Sequence, residues 1–266
     1  MNIILISLLT VAALAIILAV VLYFVSQKFK VYEDPKIDEV SALLPGANCG
    51  GCGFAGCRNF AEKVVKEGGL HGKTCPPGGA SINTAIAAMF GEGVGEVSPQ
   101  KLVVYCNGSC ENAPAKVHYD SISSCAFFKM TSAGENGCAF GCFGCGDCVT
   151  VCKFDAIAID AVTKLPKVNG NCVLCGACIT ACPRNLIAIV PKHEQGTVVV
   201  ACMNREKGAD AKKNCAVACI GCKKCEKMCE LCAITVENNL ASIIPDKCTA
   251  CMKCVDGCPT KAIIVV

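Results

Sequence analysis

Twenty-seven of the 266 residues are cysteine, and their spacing says more than their number. Four runs follow Cys-x2-Cys-x2-Cys-x3-Cys: Cys142, Cys145, Cys148 and Cys152; Cys172, Cys175, Cys178 and Cys182; Cys219, Cys222, Cys225 and Cys229; Cys248, Cys251, Cys254 and Cys258. A fifth group places Cys49, Cys52 and Cys57 close together and Cys75 further along. Thiols spaced this tightly would strain most disulfide pairings, whereas four thiolates folded about one point form the ligand set of an inorganic cluster. Metal-thiolate chemistry is therefore expected, in a reducing compartment where thiolates persist. Four thiolates also suit zinc. The density of cysteines favours iron, and with it one-electron transfer.

The elements that must position these thiols are short. Around the fifth group the chain reads Leu43-Leu-Pro-Gly-Ala-Asn-Cys49-Gly-Gly-Cys52-Gly-Phe-Ala-Gly-Cys57, with Cys75-Pro-Pro-Gly-Gly beyond, and its glycines let amides approach a bound group. Residues Arg58 to Glu67 are expected to form a helix with Phe60, Val64 and Val65 on its apolar side, ended by Gly68-Gly69. Ala80 to Phe90 should form a second helix. Val31 to Glu39 reads as a charged linker, and Gly91 to Gln100 as a glycine-rich one in which Gly91-x-Gly93-x-Gly95 is a hinge, not a nucleotide fingerprint. His71 is expected in solvent, not as a ligand. After each fourth cysteine of the four runs comes an apolar tetrad expected as a strand: Ala156–Ile159, Leu186–Ile189, Ala233–Val236 and Ala262–Val265. Aromatic residues are sparse and Trp is absent, so bound clusters must supply much of the folding stability.

Ile3 to Val25 is an uncharged apolar run long enough to cross a bilayer as one helix, with Tyr23 and Phe24 at its end. No basic residue precedes it and no small-x-small cleavage site follows, so an anchor is expected in place of a cleaved signal. Lys28 and Lys30 follow it, which puts the N-terminus outside and the body in the cytoplasm. A net charge of +3 without long basic runs gives no case for nucleic acid as a partner; membrane lipid is one.

Seven cysteines fall outside the five groups: Cys106, Cys110, Cys125, Cys138, Cys202, Cys215 and Cys232. Cys106, Cys110, Cys125 and Cys138 are enough for a sixth cluster, buried free thiols being the alternative. Cys125, Cys138 and the run Cys142 to Cys152 recur, shifted by 77 positions, as Cys202, Cys215 and the run Cys219 to Cys229, a mark of internal duplication. Val103-Val-Tyr-Cys106-Asn and Val198-Val-Val-Ala-Cys202-Met-Asn also look alike, so Cys202 is expected near Cys106 or its equivalent. Cys232 occupies the place of Asp155 and has no assigned role.

Each pair of runs resembles a bacterial two-cluster ferredoxin, in which the fourth cysteine of one run ligates the cluster of the other. The resemblance implies the sets Cys142, Cys145, Cys148, Cys182; Cys172, Cys175, Cys178, Cys152; Cys219, Cys222, Cys225, Cys258; and Cys248, Cys251, Cys254, Cys229. Cys182 and Cys258 precede the usual proline, whereas Lys153 and Glu230 replace it in the other two runs.

Taken in order, the anchor, the Leu-Pro-Gly-x-Asn-Cys49 motif through Cys75-Pro-Pro-Gly-Gly, and the tandem runs resemble the B subunit of the Rnf ion-translocating electron-transport complex, in the longer form with two ferredoxin modules. The resemblance implies an α+β fold: one transmembrane helix at 1–26, a single-cluster domain at 27–90, a cysteine-containing connecting segment at 91–137, and ferredoxin modules at 138–192 and 198–266. It implies five 4Fe-4S clusters with a candidate sixth, in a cytoplasmic membrane of a bacterium or archaeon. The implied partners are the other subunits of the complex and soluble reduced ferredoxin; Lys212, Lys213, Lys223, Lys224 and Lys227 are a candidate docking face for it, a solvated surface being the alternative. The chain itself has no dinucleotide fingerprint, acid, base or nucleophile, and no intramembrane charge, so hydride transfer and ion pumping are expected on other subunits. The alternative activity is a membrane reducing system for a redox-sensing transcription factor.

Overall fold

The computed structural model describes residues 2–28, 33–93, 99–120, 123–131 and 134–266; Lys30 and Gly95, which enter the sequence expectations, lie outside them. Helix α1 spans Asn2–Lys28, about 40 Å at the usual rise. Its apolar stretch, Leu5–Lys28, has a mean hydropathy of 3.0, and its most apolar 18 residues bury none of their surface against the rest of the chain. A helix so apolar and so bare finds its solvent in lipid.

Helix α2 (Pro35–Leu43) occupies most of what reads in sequence as a charged linker. Asp34 caps it by accepting from the Lys36 amide, Pro35 starts it, and Val40 is fully buried among its few apolar residues. Helices α3 (Cys57–Glu67) and α4 (Gly79–Met89) lie where the apolar spacing predicts them. Val40, Phe60, Val64 and Ile86 form the core of this first domain, with Phe54 set edge-on to Phe60.

The rest of the body is a duplicated unit. Its elements are β1 (Gln100–Val104), α5 (Cys125–Thr131), α6 (Asp147–Thr150), β2 (Ile157–Ile159), β3 (Pro166–Val168), α7 (Ala177–Ala181) and β4 (Ile187–Pro191), then β5 (Val198–Val200), α8 (Gly208–Asn214), α9 (Lys224–Met228), β6 (Ile234–Glu237), β7 (Leu240–Ile243), α10 (Lys253–Asp256) and β8 (Ile263–Val265). The four apolar tetrads are strands β2, β4, β6 and β8, each in its own two-stranded antiparallel sheet. β2 and β6 pair with the strands that follow them, β3 and β7. β4 and β8 instead reach back to strands that precede the cysteine runs: β1 pairs with β4, Leu102 opposite Ile189, and β5 with β8, Val199 opposite Ile264.

The segment 91–137 is thus more than a connection, because its Gln100–Val104 supplies the first strand of the first module. A short strand whose stability comes from a partner at the far end of its module leaves little local trace. The two modules meet where Val103 and Val190 of one pack on Val199 of the other, and the Asn107 amide donates to the Ala201 carbonyl at 3.0 Å across the seam.

Candidate metal centres

The cysteine runs share a backbone shape. In each, the second and fourth residues after the first cysteine have positive φ: Gly144 and Gly146, Leu174 and Gly176, Gly221 and Lys223, Ala250 and Met252. So does the third residue after each fourth cysteine: Asp155, Asn185, Cys232 and Lys261. Left-handed residues set among right-handed ones turn successive amides inward, making a concavity suited to anions. The amides find sulfur: Ala156, Leu186 and Ala233 donate to Cys152, Cys182 and Cys229 at 3.4, 3.4 and 3.3 Å.

The thiols gather in sets that cross between runs. One cavity is lined by Cys142, Cys148 and Cys182, a second by Cys152, Cys172, Cys175 and Cys178, and a third by Cys219, Cys222, Cys225 and Cys258. Cys254 stands among Cys248, Cys251 and Cys229, and Cys75 among Cys52, Cys57 and Cys49. Burial pushes the Cys142 and Cys145 thiols up to about 12, with nearby Cys106 and Cys125 adding to it, and pushes Cys178, Cys225 and Cys254 up to about 11. Such groups are held neutral until a cation neutralises their thiolates, which iron does. Among the described residues no three Cys, His, Asp or Glu side chains are gathered tightly enough for a single metal ion. Thiols from two runs that share one cavity suit the corners of a four-iron cube, so the donor sets fit 4Fe-4S clusters.

Polar residues that carry no motif hold the ligand loops. Asn83, 4% exposed, accepts from the Cys75 amide at 2.8 Å and donates to the carbonyls of Cys75 and Gly79. Asn48 accepts from the Cys57 amide at 2.8 Å. Asp147 accepts from the amides of Cys125 and Ala126 and from the Ser124 hydroxyl. Where the first run lacks proline, Lys153 donates to the Asn48 carbonyl at 3.2 Å, tying the first domain to the first module; where the third lacks it, Glu230 pairs with Lys253 at 2.6 Å. At the same junction Gly51 lies so close to Cys175 that a Cβ on it would stand 2.7 Å from the Cys175 carbonyl oxygen.

The cysteines outside the five groups need correction. Cys106, Cys110, Cys125 and Cys138 do not come together. Cys110 is exposed and donates its thiol to the Val162 carbonyl at 2.9 Å. Cys125 lines the cavity of Cys142, Cys148 and Cys182, beside Cys145. Cys106 and Cys138 instead share a cavity with Cys202 and Cys215 at the seam between modules. Sequence spacing pairs Cys125 with Cys202 because the shift of 77 happens to fit; the strands show that Cys106, just after β1, is the equivalent of Cys202, just after β5. Cys232 is exposed in one of the left-handed turns. His71 is exposed, near Glu92 at 3.3 Å.

Three family models match the chain. One, described as "Putative Fe-S cluster", covers residues 44–77, and two, each described as "4Fe-4S dicluster domain", cover 141–186 and 218–263. Over 258 residues the chain is 42% identical to the B subunit of the ion-translocating oxidoreductase complex of Methanosarcina acetivorans, covering 97% of this chain and 96% of that protein. It is 42% identical to the B subunit of the Na(+)-translocating ferredoxin:NAD(+) oxidoreductase complex of Acetobacterium woodii, over 99% of this chain and 78% of the relative. The B subunit of the proton-translocating ferredoxin:NAD(+) oxidoreductase complex of Clostridium ljungdahlii is 35% identical over 99% of this chain and 93% of its own length.

Proposed function

Because this chain belongs to the B-subunit family of ion-translocating oxidoreductase complexes, we propose that it is the electron relay of such a complex, receiving electrons from reduced soluble ferredoxin and delivering them to neighbouring subunits. Bound at the five thiol sets, 4Fe-4S clusters supply reversible one-electron transfer. The ligands are Cys49, Cys52, Cys57 and Cys75, together with the four crossed sets of the two modules. The chain's own work is to hold these groups: left-handed loops aim amides at sulfur, and the small apolar cores keep water from the thiols. The observation that carries this reading is the crossing itself, since in each module the fourth cysteine of one run joins the thiols of the other, which would place two centres side by side.

Helix α1 anchors the relay in the membrane, with Lys28 marking the cytoplasmic end. Relatives named for sodium and for protons both align with nearly all of this chain, which supports placing the choice of ion on other subunits. Lys212, Lys213, Lys223, Lys224 and Lys227 are exposed, and three of them flank the exposed Cys222 and buried Cys225, so an acidic ferredoxin docking there would approach the third cavity.

Reduction of the anaerobically purified, cluster-loaded protein by reduced ferredoxin, followed as bleaching near ~400 nm, tests the relay. Bleaching is expected, at a rate falling several-fold between low and high ionic strength. A protein left oxidised by excess reduced ferredoxin would refute the role; a rate indifferent to salt would move the docking face elsewhere.

A further inference from the structure

We propose that Cys106, Cys138, Cys202 and Cys215 bind a sixth 4Fe-4S cluster at the seam between the two modules, and that electrons pass between the modules through it. The four thiols line one cavity, and its volume, about 20 Å³, equals that of each of the three cavities already described. Gly108 and Gly141 line that space and face its sulfurs. A Cβ placed on Gly108 would lie 3.5 Å from the Cys215 sulfur and 3.6 Å from that of Cys106, and one on Gly141 would lie 3.4 Å from Cys138 and 3.8 Å from Cys106.

The sulfurs are met by donors as in the ferredoxin loops. Cys106 accepts from the Cys142 amide at 3.3 Å, and Cys202 from the Cys219 amide at 3.3 Å and the Asn204 amide at 3.5 Å. Asn204, 1% exposed, turns its side-chain nitrogen to Cys138 at 3.7 Å. A buried amide directed at sulfur favours thiolate over thiol.

The site is built by the duplication. Cys106 and Cys202 follow equivalent strands, β1 and β5, while Cys138 and Cys215 precede equivalent cysteines, Cys142 and Cys219. Each module brings one thiol of each kind, and the two halves meet as a pseudo-dimer. The site's own hydrogen bonds also name its neighbours: Cys142 belongs to the first module's nearer set and Cys219 to the second's. Held by these four thiols, a 4Fe-4S cluster would supply one-electron exchange between the two sets, with no bond made or broken.

This inference rests on the iron-sulfur reading above, and one measurement separates their failures. Full-length protein purified anaerobically with its clusters intact should contain about 24 iron and 24 acid-labile sulfide per chain, at four of each per cluster. About 20 of each would overturn the sixth cluster and leave the relay standing, and iron near zero would overturn both. Cys106→Ser/Cys215→Ser, taking one ligand from each module, should lose about four iron and four sulfide, with one set of EPR signals missing and the others retained. Cys110→Ser and Cys232→Ser should keep the full count. Unchanged iron in the double variant, a loss of about four iron in Cys110→Ser, or one zinc per chain that vanishes in the double variant would each overturn the assignment. The total in the unmutated chain decides even if the double variant does not fold.

Discussion

Cys232 lies three residues after Cys229, a proposed cluster ligand, and what the structure shows of it is an exposed thiol and a left-handed backbone. It stands in the left-handed turn where the equivalent residues are Asp155, Asn185 and Lys261, which have no thiol to offer. The same logic governs the loops between ligands, where Leu174, Lys223, Ala250 and Met252 hold a conformation that costs an L-residue roughly 1–2 kcal/mol relative to its right-handed form. The loops bear that cost because the turned amides are what the thiolates require. Lys223 is exposed, so replacing it removes strain without opening a cavity. Lys223→Gly should stabilise the loaded loop by about 0.5–1 kcal/mol after the entropy lost by glycine is subtracted. Its cluster absorbance should decay more slowly under denaturant, by roughly two- to fivefold, and faster decay would show that the strain account is wrong. From sequence the proposed ligands stand out because cysteine in a short repeat has few other meanings. The left-handed positions held by Leu174, Lys223, Ala250 and Met252 were not, because their side chains give no hint of φ.

At the scale of elements, what could be read was what repeats locally. The tetrads after each fourth cysteine and helices α3 and α4 announce themselves by apolar spacing. Strands β1 and β5 stayed hidden, since each is a few residues long and is fixed by pairing with β4 or β8 at the far end of its module. Helix α2 was masked by charge, its tertiary role resting largely on Val40. Polar clamps were equally silent, Asn83 being one asparagine in an ordinary amphipathic helix. Replacing it with alanine leaves the Cys75 amide without its partner, at about 1–3 kcal/mol for a buried group, while the Cys75 carbonyl keeps the Gly78 amide at 3.1 Å. Asn83→Ala should therefore lose the single-cluster domain's four iron atoms selectively, with the ferredoxin modules' EPR signals intact. Full retention of iron would mean that Cys75 is held by other contacts.

At the scale of the whole molecule, the proposed centres form a sequence that no local pattern discloses. The Cys49 loop touches Cys175 through Gly51, Cys178 neighbours Cys148, Cys142 meets Cys106, and Cys202 meets Cys219. Each junction is a contact between ligand loops, so the protein between successive centres is only a few atoms deep. The first junction is the most exposed to test, because Gly51 faces backbone atoms of Cys175 that cannot move aside. Gly51→Ala should keep every cluster yet part the first domain from the first module. Limited proteolysis should then cut between residues 75 and 142 faster than in the parent chain, and reduction should reach the first set more slowly than the rest. Unchanged proteolysis and unchanged order of reduction would show that the contact carries no docking. Duplication was legible in the shift of 77 positions; the face through which the copies meet was not, because Val103, Val190 and Val199 look like any strand residues.

The seam has a further meaning for descent. A centre whose ligands are shared equally between two copies cannot be inherited by either copy alone. In the proposed seam site, Cys106 and Cys138 would lose half their ligand set in any chain that ends after one module, and Cys202 and Cys215 would lose theirs in any chain that lacks the first module. Across relatives of different length the four cysteines should therefore be gained and lost as a unit, on a different schedule from the ligands inside each module, which answer only to their own copy.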